Sequence, residues 1–518
     1  MHRSGARGLA GVAVLAAVLV GIGARPTPAA TGFADCAAPT DAVSVVVDRV
    51  ACQQVDSAAV GGTTAFSYFV PSGCAPGTGH TCPVLYLLHG FGGDYHGMLG
   101  TAERPSSWVH ALTERPPSDP RTSSTPWTLS DPSTWVPAPP IDLILVAPHG
   151  RTVAGGYGPG PGIDSYWTDW NPRYAKGGDD PKYDTPPPRF STFLTDELLP
   201  YVEANFPTTP GRGWRALAGT SLGGFGSYKN GLQHPDLFTS MGSVSGAHNF
   251  LFAPGLDAGA APASPVGVQP PVDLGRVRAP SPLNQVPPAA VPAQASTFLA
   301  ATLALGDPVA DEAYFRGNTP RDLALNARAY DASGTQALFV KGFVNDTVPR
   351  RQQDVTDPVS IAFEDIVLPM NLDMEAAFTD LGVRREFDIH PGLHSEVYRG
   401  AWMREQLEAQ YARVSHWDGS GSPAAPPARF DYRSVSTDFT IWDWRVHVDR
   451  APVEFVTLTN VSCDSFTVQG TGVVTVTPAP SCGHAPVTVD LGPSAPVDEP
   501  ANAGATPAYG RTVTVALG

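Results

Sequence analysis

Arg215-Ala-Leu-Ala-Gly-Thr-Ser-Leu-Gly-Gly-Phe225 is the stretch on which the reading of this chain turns. Arg215 to Ala218 is a short apolar run of the kind that forms a strand buried on both faces. Gly219-Thr220-Ser221-Leu222-Gly223 follows as a Gly-x-Ser-x-Gly motif, and Phe225, Tyr228 and Leu232 then recur at helical spacing. A strand that turns so sharply into a helix needs neighbours without bulk, and the turn lifts the serine Oγ above the sheet edge. The helix N-terminus adds partial positive charge where an oxyanion forms. A bare match to the motif also describes an ordinary glycine-rich turn. The strand before it and the helix after it favour a nucleophile, Ser221.

Other buried runs lie on either side. Pro83 to Leu88 ends at His89-Gly90, Ile141 to Ala147 ends at Pro148-His149-Gly150, and Ala337 to Val340 and Arg385 to Ile389 come later. Val43 to Val47 and Ala65 to Val70 read as two short strands with a Gly61-Gly62 turn between them. Phe190 to Phe206 carries apolar residues at helical spacing. Buried strands alternating with helices predict an α/β fold, a mostly parallel sheet covered on both sides. Two stretches break the rhythm: a Pro/Ser-rich one from Arg115 to Pro140 and a Pro/Ala-rich one from Phe252 to Ala295. Both read as loop insertions. The second follows the nucleophile region, so a lid and a plain surface loop both stand open.

The C-terminal part is different. A linker at 416–427, rich in Gly, Ser, Pro and Ala, leads into residues 428–518. There Trp442, Trp444, Val446 and Val448 alternate with polar residues, and Phe466 to Thr477 is rich in β-branched ones. A small all-β domain is predicted. Its Trp and Tyr residues form either its core or a platform for carbohydrate.

A chain of 518 residues has room for two or three folding units at about 100–200 residues each. The net charge of −16 and the absence of a basic run argue against nucleic acid and anionic membranes as partners. Arg3 and Arg7, the apolar run Leu9 to Ile22 and the small residues through Ala30 have the order of a secretory signal over residues 1–30, with a signal anchor as the alternative. No later segment is apolar enough to span a bilayer, so a secreted protein without stable membrane insertion is expected. Six cysteines in an exported chain suggest disulfides. Of fifteen possible pairings the local one is simplest: Cys36 with Cys52, Cys74 with Cys82, Cys463 with Cys482.

A serine hydroxyl needs a base, and the order expected for this architecture is serine, acid, histidine. His394 follows the last predicted strand, in His390-Pro-Gly-Leu-His394. His390 is the second candidate. Pro391-Gly392 rules out a helical metal-ligand pair of the two. For the acid, Asp346 lies just past the strand Ala337 to Val340, Glu364 begins a helical stretch, and Asp365 comes third. The fold alone favours Asp346. Two backbone donors for an oxyanion are expected at Leu222 and, in the loop His89 to Asp94, at Phe91. A phosphate cradle is excluded, because no Gly-Lys-Ser/Thr follows these glycines. Neither metal nor organic cofactor is required.

Several pieces together resemble the esterase D-like family of α/β-hydrolases, which includes putative esterases, feruloyl esterases, S-formylglutathione hydrolase and the secreted mycolyltransferases. They are Leu85-Tyr-Leu-Leu-His-Gly-Phe-Gly-Gly-Asp94, Ser165-Tyr-Trp-Thr-Asp-Trp170, Phe193-Leu-Thr-Asp-Glu-Leu-Leu-Pro-Tyr-Val202, Ala218-Gly-Thr-Ser-Leu-Gly-Gly224, His234-Pro235 with Phe238, and Gly392-Leu-His-Ser395. The resemblance spans roughly 60–415 and implies an α/β-hydrolase catalytic domain over 36–415. It also moves the acid. In the mycolyltransferase-like branch a Glu opens the helix before the last strand, and Ala362-Phe-Glu-Asp-Ile-Val-Leu-Pro-Met-Asn371 resembles that segment, with Glu364 placed 30 residues before His394. The resemblance therefore implies Ser221, Glu364 and His394, with Asp346 as the alternative acid. Gly342-Phe343-Val344-Asn345 and Glu396-Val397-Tyr398 depart from that branch. The implied activity is carboxylic-ester hydrolysis on a small-molecule or polymer-linked ester. Acyl transfer to a sugar hydroxyl and a non-catalytic binding protein are the competing readings.

Overall fold

The structure is a computed structural model, described for residues 33, 35–40, 42–152, 162–171, 187–249, 304–306, 311–328, 338–346, 358–415, 427–451, 453–493 and 510–517. The expected signal at 1–30, the insertion from Phe252 to Ala295 and nearly all of the 416–427 linker lie outside these residues.

Eight strands form the main sheet: β1 (Ala51–Ser57), β2 (Gly62–Phe69), β3 (Val84–Leu88), β4 (Ile144–Pro148), β5 (Arg215–Thr220), β6 (Ser240–Val244), β7 (Phe339–Asn345) and β8 (Arg385–His390). Their spatial order is β1-β2-β4-β3-β5-β6-β7-β8. β2 pairs antiparallel with β1 and β4, and all later pairs are parallel. This is an α/β-hydrolase fold. Every residue of β3, β4 and β6 is buried. β3 and β4 therefore read as unbroken apolar runs rather than as alternation, whereas β6, Ser-Met-Gly-Ser-Val, is not an apolar run and no strand is expected there from the sequence. Tyr86 and Leu88 face one layer with Leu217, Tyr228 and Phe378; Leu85 and Leu87 face the other with Ala216, Ala218, Trp402 and Leu407.

Four helices matter for the site. α1 runs through Phe190–Thr192, Phe193–Leu198 and Leu199–Asn205. Its middle is wound as π-helix, with Leu199 N–H bonded to Leu194 O just before Pro200. Proline lacks the N–H that an α-helical turn would use there, and a wider turn accommodates it. α2 (Leu222–Gln233) leaves directly from Ser221. α3 (Pro358–Asp380) continues through Pro369, and α4 (Met403–Ser415) covers the second layer. Glu364 thus lies well inside a long helix rather than opening a short one.

One expected strand is corrected. Val43 to Val47 makes no strand beyond a single bridge from Val47 to Val70. Val43, Val45 and Val47 pack against the core as irregular chain. The sheet edge is the polar segment Ala51–Ser57 instead. Gln53 Nε2 donates to Ala38 O (2.6 Å) and Gln54 Nε2 to Phe33 O (2.9 Å) and Cys36 O (3.0 Å), which covers that edge. The stretch from Arg115 to Pro140 is an excursion closed by a two-residue ladder, Glu114–Arg115 with Val136–Pro137. The disulfides are Cys36–Cys52, Cys74–Cys82 and Cys463–Cys482, the three local pairs.

The C-terminal domain holds two four-stranded antiparallel sheets. One contains β9 (Phe430–Ser434), β12 (Val456–Ser462), β13 (Ser465–Gly470) and β16 (Arg511–Ala516). The other contains β10 (Asp438–Ile441), β11 (Trp444–Asp449), β14 (Val473–Thr477) and β15 (Val487–Asp490). The strict inside–outside alternation of β11 delivers Trp444, Val446 and Val448 to the core between them. Among the described residues, the Trp and Tyr side chains of this domain go to its core: Tyr432, Trp442 and Trp444 are 4%, 7% and 3% exposed. Trp442 lies under the guanidinium of Arg212, just before β5, 4.9 Å from its ring centre.

Candidate active site

The turn after β5 holds Ser221 at φ 57°, ψ −118°, a conformation that costs a non-glycine residue about 1–3 kcal/mol. Its surroundings enforce it. Ser221 N–H donates to Val244 O (2.8 Å), and Phe225 N–H donates to Ser221 O (3.1 Å). A Cβ on Gly219 would sit 2.2 Å from Gly223 O, and one on Gly223 1.9 Å from Leu88 O. Both glycines are therefore required by close approach of backbone to backbone.

Two other elements meet the serine. His394 stands in the loop after β8, where its N–H donates to Ser360 O (3.2 Å) on α3. Its Nε2 is 2.9 Å from Ser221 Oγ, and its Nδ1 is 2.6 Å from Glu364 Oε2. The Glu364 side chain is fully buried. Its other oxygen, Oε1, accepts from Ser245 Oγ (2.8 Å) and from Asn345 N–H (2.6 Å). Both oxygens of this buried side chain therefore have hydrogen-bond partners, which fixes its orientation. With Nδ1–H held by the carboxylate, Nε2 is left to accept from the serine hydroxyl.

The other candidates go elsewhere. Asp346 N–H donates to His390 O (2.8 Å), and its Oδ1 accepts from Gly392 N–H (3.1 Å). It shapes the turn that leads to His394. His390 stacks flat on Trp402, centroids 3.5 Å apart, and burial pushes its imidazole down to about 3. Asp365 is exposed on α3.

Leu222 begins α2, and Phe91 stands in the loop after β3 with 47% of its surface exposed. That loop abuts Ser221: a Cβ on Gly90 would lie 3.2 Å from Ser221 Cβ. Gly93 N–H closes a turn onto Gly90 O (3.1 Å).

Sequence reasoning did not single out Ser245. It has φ 50°, is fully buried, and donates to Glu364. Nothing local marks it, since its partner is 119 residues away. Among the described residues two groups have metal-like spacing. In one, Cys36 and Cys52 are joined to each other. In the other, Asp388 and Glu405 hold the Lys341 ammonium at 2.9 and 3.0 Å, so a cationic side chain already fills the space.

Residues 161–286 match the profile of a family described as putative esterase. This supports the resemblance read from the sequence. Over 60 residues, 12% of this chain, it is 43% identical to Esterase Rv1288 of Mycobacterium tuberculosis. Esterase MT1326 of the same species aligns at the same identity. The match spans 13% of the length of those relatives. Among solved structures, an S-formylglutathione hydrolase from Agrobacterium tumefaciens is similar at 13% identity and TM-score 0.42, covering 70% of this chain and 95% of that one. MPT51 of Mycobacterium tuberculosis is similar at 17% identity and TM-score 0.37, covering 69% and 97%. At these identities and TM-scores neither bears on substrate or reaction.

Proposed function

We propose that the protein is an exported serine esterase that hydrolyses carboxylic esters through an acyl-enzyme on Ser221. The observation that carries this is the continuous chain from Ser221 Oγ to His394 (2.9 Å) to Glu364 (2.6 Å), with the serine raised on a strained turn. His394 Nε2 takes the hydroxyl proton as Ser221 Oγ attacks the ester carbonyl, and the Oγ–C bond forms. The backbone N–H groups of Leu222 and Phe91 receive the oxyanion. His394 then gives its proton to the leaving alcohol as the ester bond breaks. Water, deprotonated by the same nitrogen, releases the acid and restores Ser221. Glu364 holds the imidazole and balances its transient charge. Three disulfides support an oxidising destination, and no described helix is long and apolar enough to cross a membrane.

The test combines a fluorophosphonate probe with a panel of short acyl, aromatic acyl and long acyl esters. The wild type is expected to label and turn over, and Ser221→Ala to do neither. A wild type that stays unlabelled and inert would sink the proposal. Acylated sugar formed in place of free acid, when an acceptor sugar is supplied, would replace hydrolysis by transfer.

A further inference from the structure

Phe91 is a donor only if its N–H is held toward the reacting carbonyl, and its own side chain does nothing to hold it. The structure fixes both peptide planes beside its Cα. On the N-terminal side, Gly90 O accepts from Gly93 N–H (3.1 Å) and lies 2.8 Å from His89 Nδ1. His89 Nε2 accepts from Gly150 N–H (2.9 Å), so Nδ1 carries the proton and donates. In a planar trans peptide the carbonyl and the next N–H point in opposite directions. With Gly90 O held from one side, Phe91 N–H faces the other. On the C-terminal side, Gly92 N–H donates to Asp164 Oδ1 (3.1 Å), while Gly92 takes φ +70°.

Asp164 comes from a different part of the chain, 72 residues away, and is 4% exposed. It is itself braced. Arg151 Nε lies 3.7 Å from its carboxylate. Ser165 N–H donates to Gly150 O (3.0 Å), tying the segment to the end of β4. Three residues on, Trp167 Nε1 donates to His89 O (3.2 Å). Trp167 O accepts from Asn230 Nδ2 (3.0 Å) and Lys229 Nζ (3.3 Å) on α2. Tyr166 and Trp167 both hold left-handed backbone, φ 55° and 50°. The segment 162–171 is therefore a strut. One end rests on the helix that starts at the nucleophile, and the other reaches the loop that carries Phe91.

We propose that Asp164 is a positioning residue for the oxyanion site: by accepting from Gly92 N–H it fixes the peptide after Phe91 and so keeps the Phe91 N–H aimed at the developing charge. This rests on the esterase reading above. The carboxylate sits behind the loop with Arg151 as counter-charge, so its role is geometric rather than one of contact with substrate.

The test is ester turnover by Asp164→Ala and Asp164→Asn beside the wild type and Ser221→Ala. Removing an oxyanion donor outright costs about 10²–10³ in kcat. A donor that is loosened rather than deleted is expected to cost about 10–100-fold in kcat for Asp164→Ala, with KM within about 3-fold. Asp164→Asn keeps an oxygen acceptor for Gly92 N–H and is expected to recover kcat to within about 3-fold of wild type. Affinity for a tetrahedral boronate inhibitor should fall in step with kcat across the series, which a purely structural role would not produce. If Asp164→Ala does not fold, Asp164→Asn still decides: a folded Asp164→Asn as slow as about 100-fold below wild type overturns the proposal. So does a folded Asp164→Ala with wild-type kcat. An inert, unlabelled wild type overturns the esterase reading first, and this inference with it.

Discussion

At the scale of single residues, the choice of acid shows what contacts add to spacing. Asp346 stands at the end of β7, where this fold places an acid, yet its carboxylate holds Gly392 N–H. Glu364 is the group on His394 Nδ1. Glu364→Gln keeps the shape but presents an amide that cannot stabilise the imidazolium, so kcat is expected to fall by on the order of 10²–10⁴. Asp346→Asn retains an oxygen for Gly392 N–H and is expected to stay within about 5-fold of wild type. Steady-state kinetics of the two variants checks this, and the reverse ranking would move the acid to Asp346. The sequence pattern left the two open because both follow buried segments and precede His394. Ser221 and His394 were legible because each obeys a local steric or positional demand. Ser245 and Asp164 were not, because each acts through a partner far along the chain, 119 and 72 residues away.

At the scale of elements, legibility followed apolar burial. β3 and β4 are apolar and buried throughout, so composition alone marked them; β6 is equally buried but its two serines and glycine left no apolar run to read. β1 is a polar edge strand whose glutamines bond to neighbouring carbonyls, and its sequence Ala-Cys-Gln-Gln-Val-Asp-Ser offers no apolar alternation. The valines just before it do alternate, but pack as irregular chain, so periodicity pointed to the wrong segment. The turn between β5 and α2 was readable because it is sterically extreme. Gly223→Ala would drive a methyl to 1.9 Å from Leu88 O and 2.5 Å from Leu88 C, both backbone atoms of a central strand. Neither can retreat without breaking the sheet. The expected loss is about 3 kcal/mol or more, with activity lost even in folded material because the serine is displaced. Gly62→Ala is the control, since nothing lies within 4 Å of the added methyl, and its change is expected within about 0.5 kcal/mol. Chemical denaturation of the pair measures both. Equal stability would mean that the turn can relax, and with it the argument for Ser221's imposed conformation.

At the scale of the whole molecule, the two domains share buried polar contacts. Tyr432 OH donates to Gln233 O (2.7 Å) at the end of α2, and Asn326 exchanges two hydrogen bonds with Arg433 (2.8 and 3.0 Å). The C-terminal domain thus braces the far end of the helix whose first turn follows Ser221. Such burial also sets how the fold responds to acid. Burial pushes His89 and His234 down to about 4, and His149, His248 and His390 to about 3. In the unfolded chain each imidazole titrates near 6.5. Above about pH 6.5 these groups are neutral in both states and contribute nothing to the pH dependence. Below it the unfolded chain takes up protons that the folded one refuses, so stability falls as pH drops from 6.5 toward 4, by about 2 kcal/mol per imidazole at pH 5. Asp164 and Asp236 oppose this, because burial pushes both up to about 6. The folded state then binds protons first, and each adds about 1 kcal/mol between pH 7 and 5. Five imidazoles outweigh two carboxyls, and most surface carboxylates have yet to titrate in that window. Tm is therefore expected to be lower at pH 5 than at pH 7, by about 5–10 °C. Calorimetry across that range checks it, and a Tm that holds level or rises toward pH 5 would mean that these histidines reach water in the folded protein.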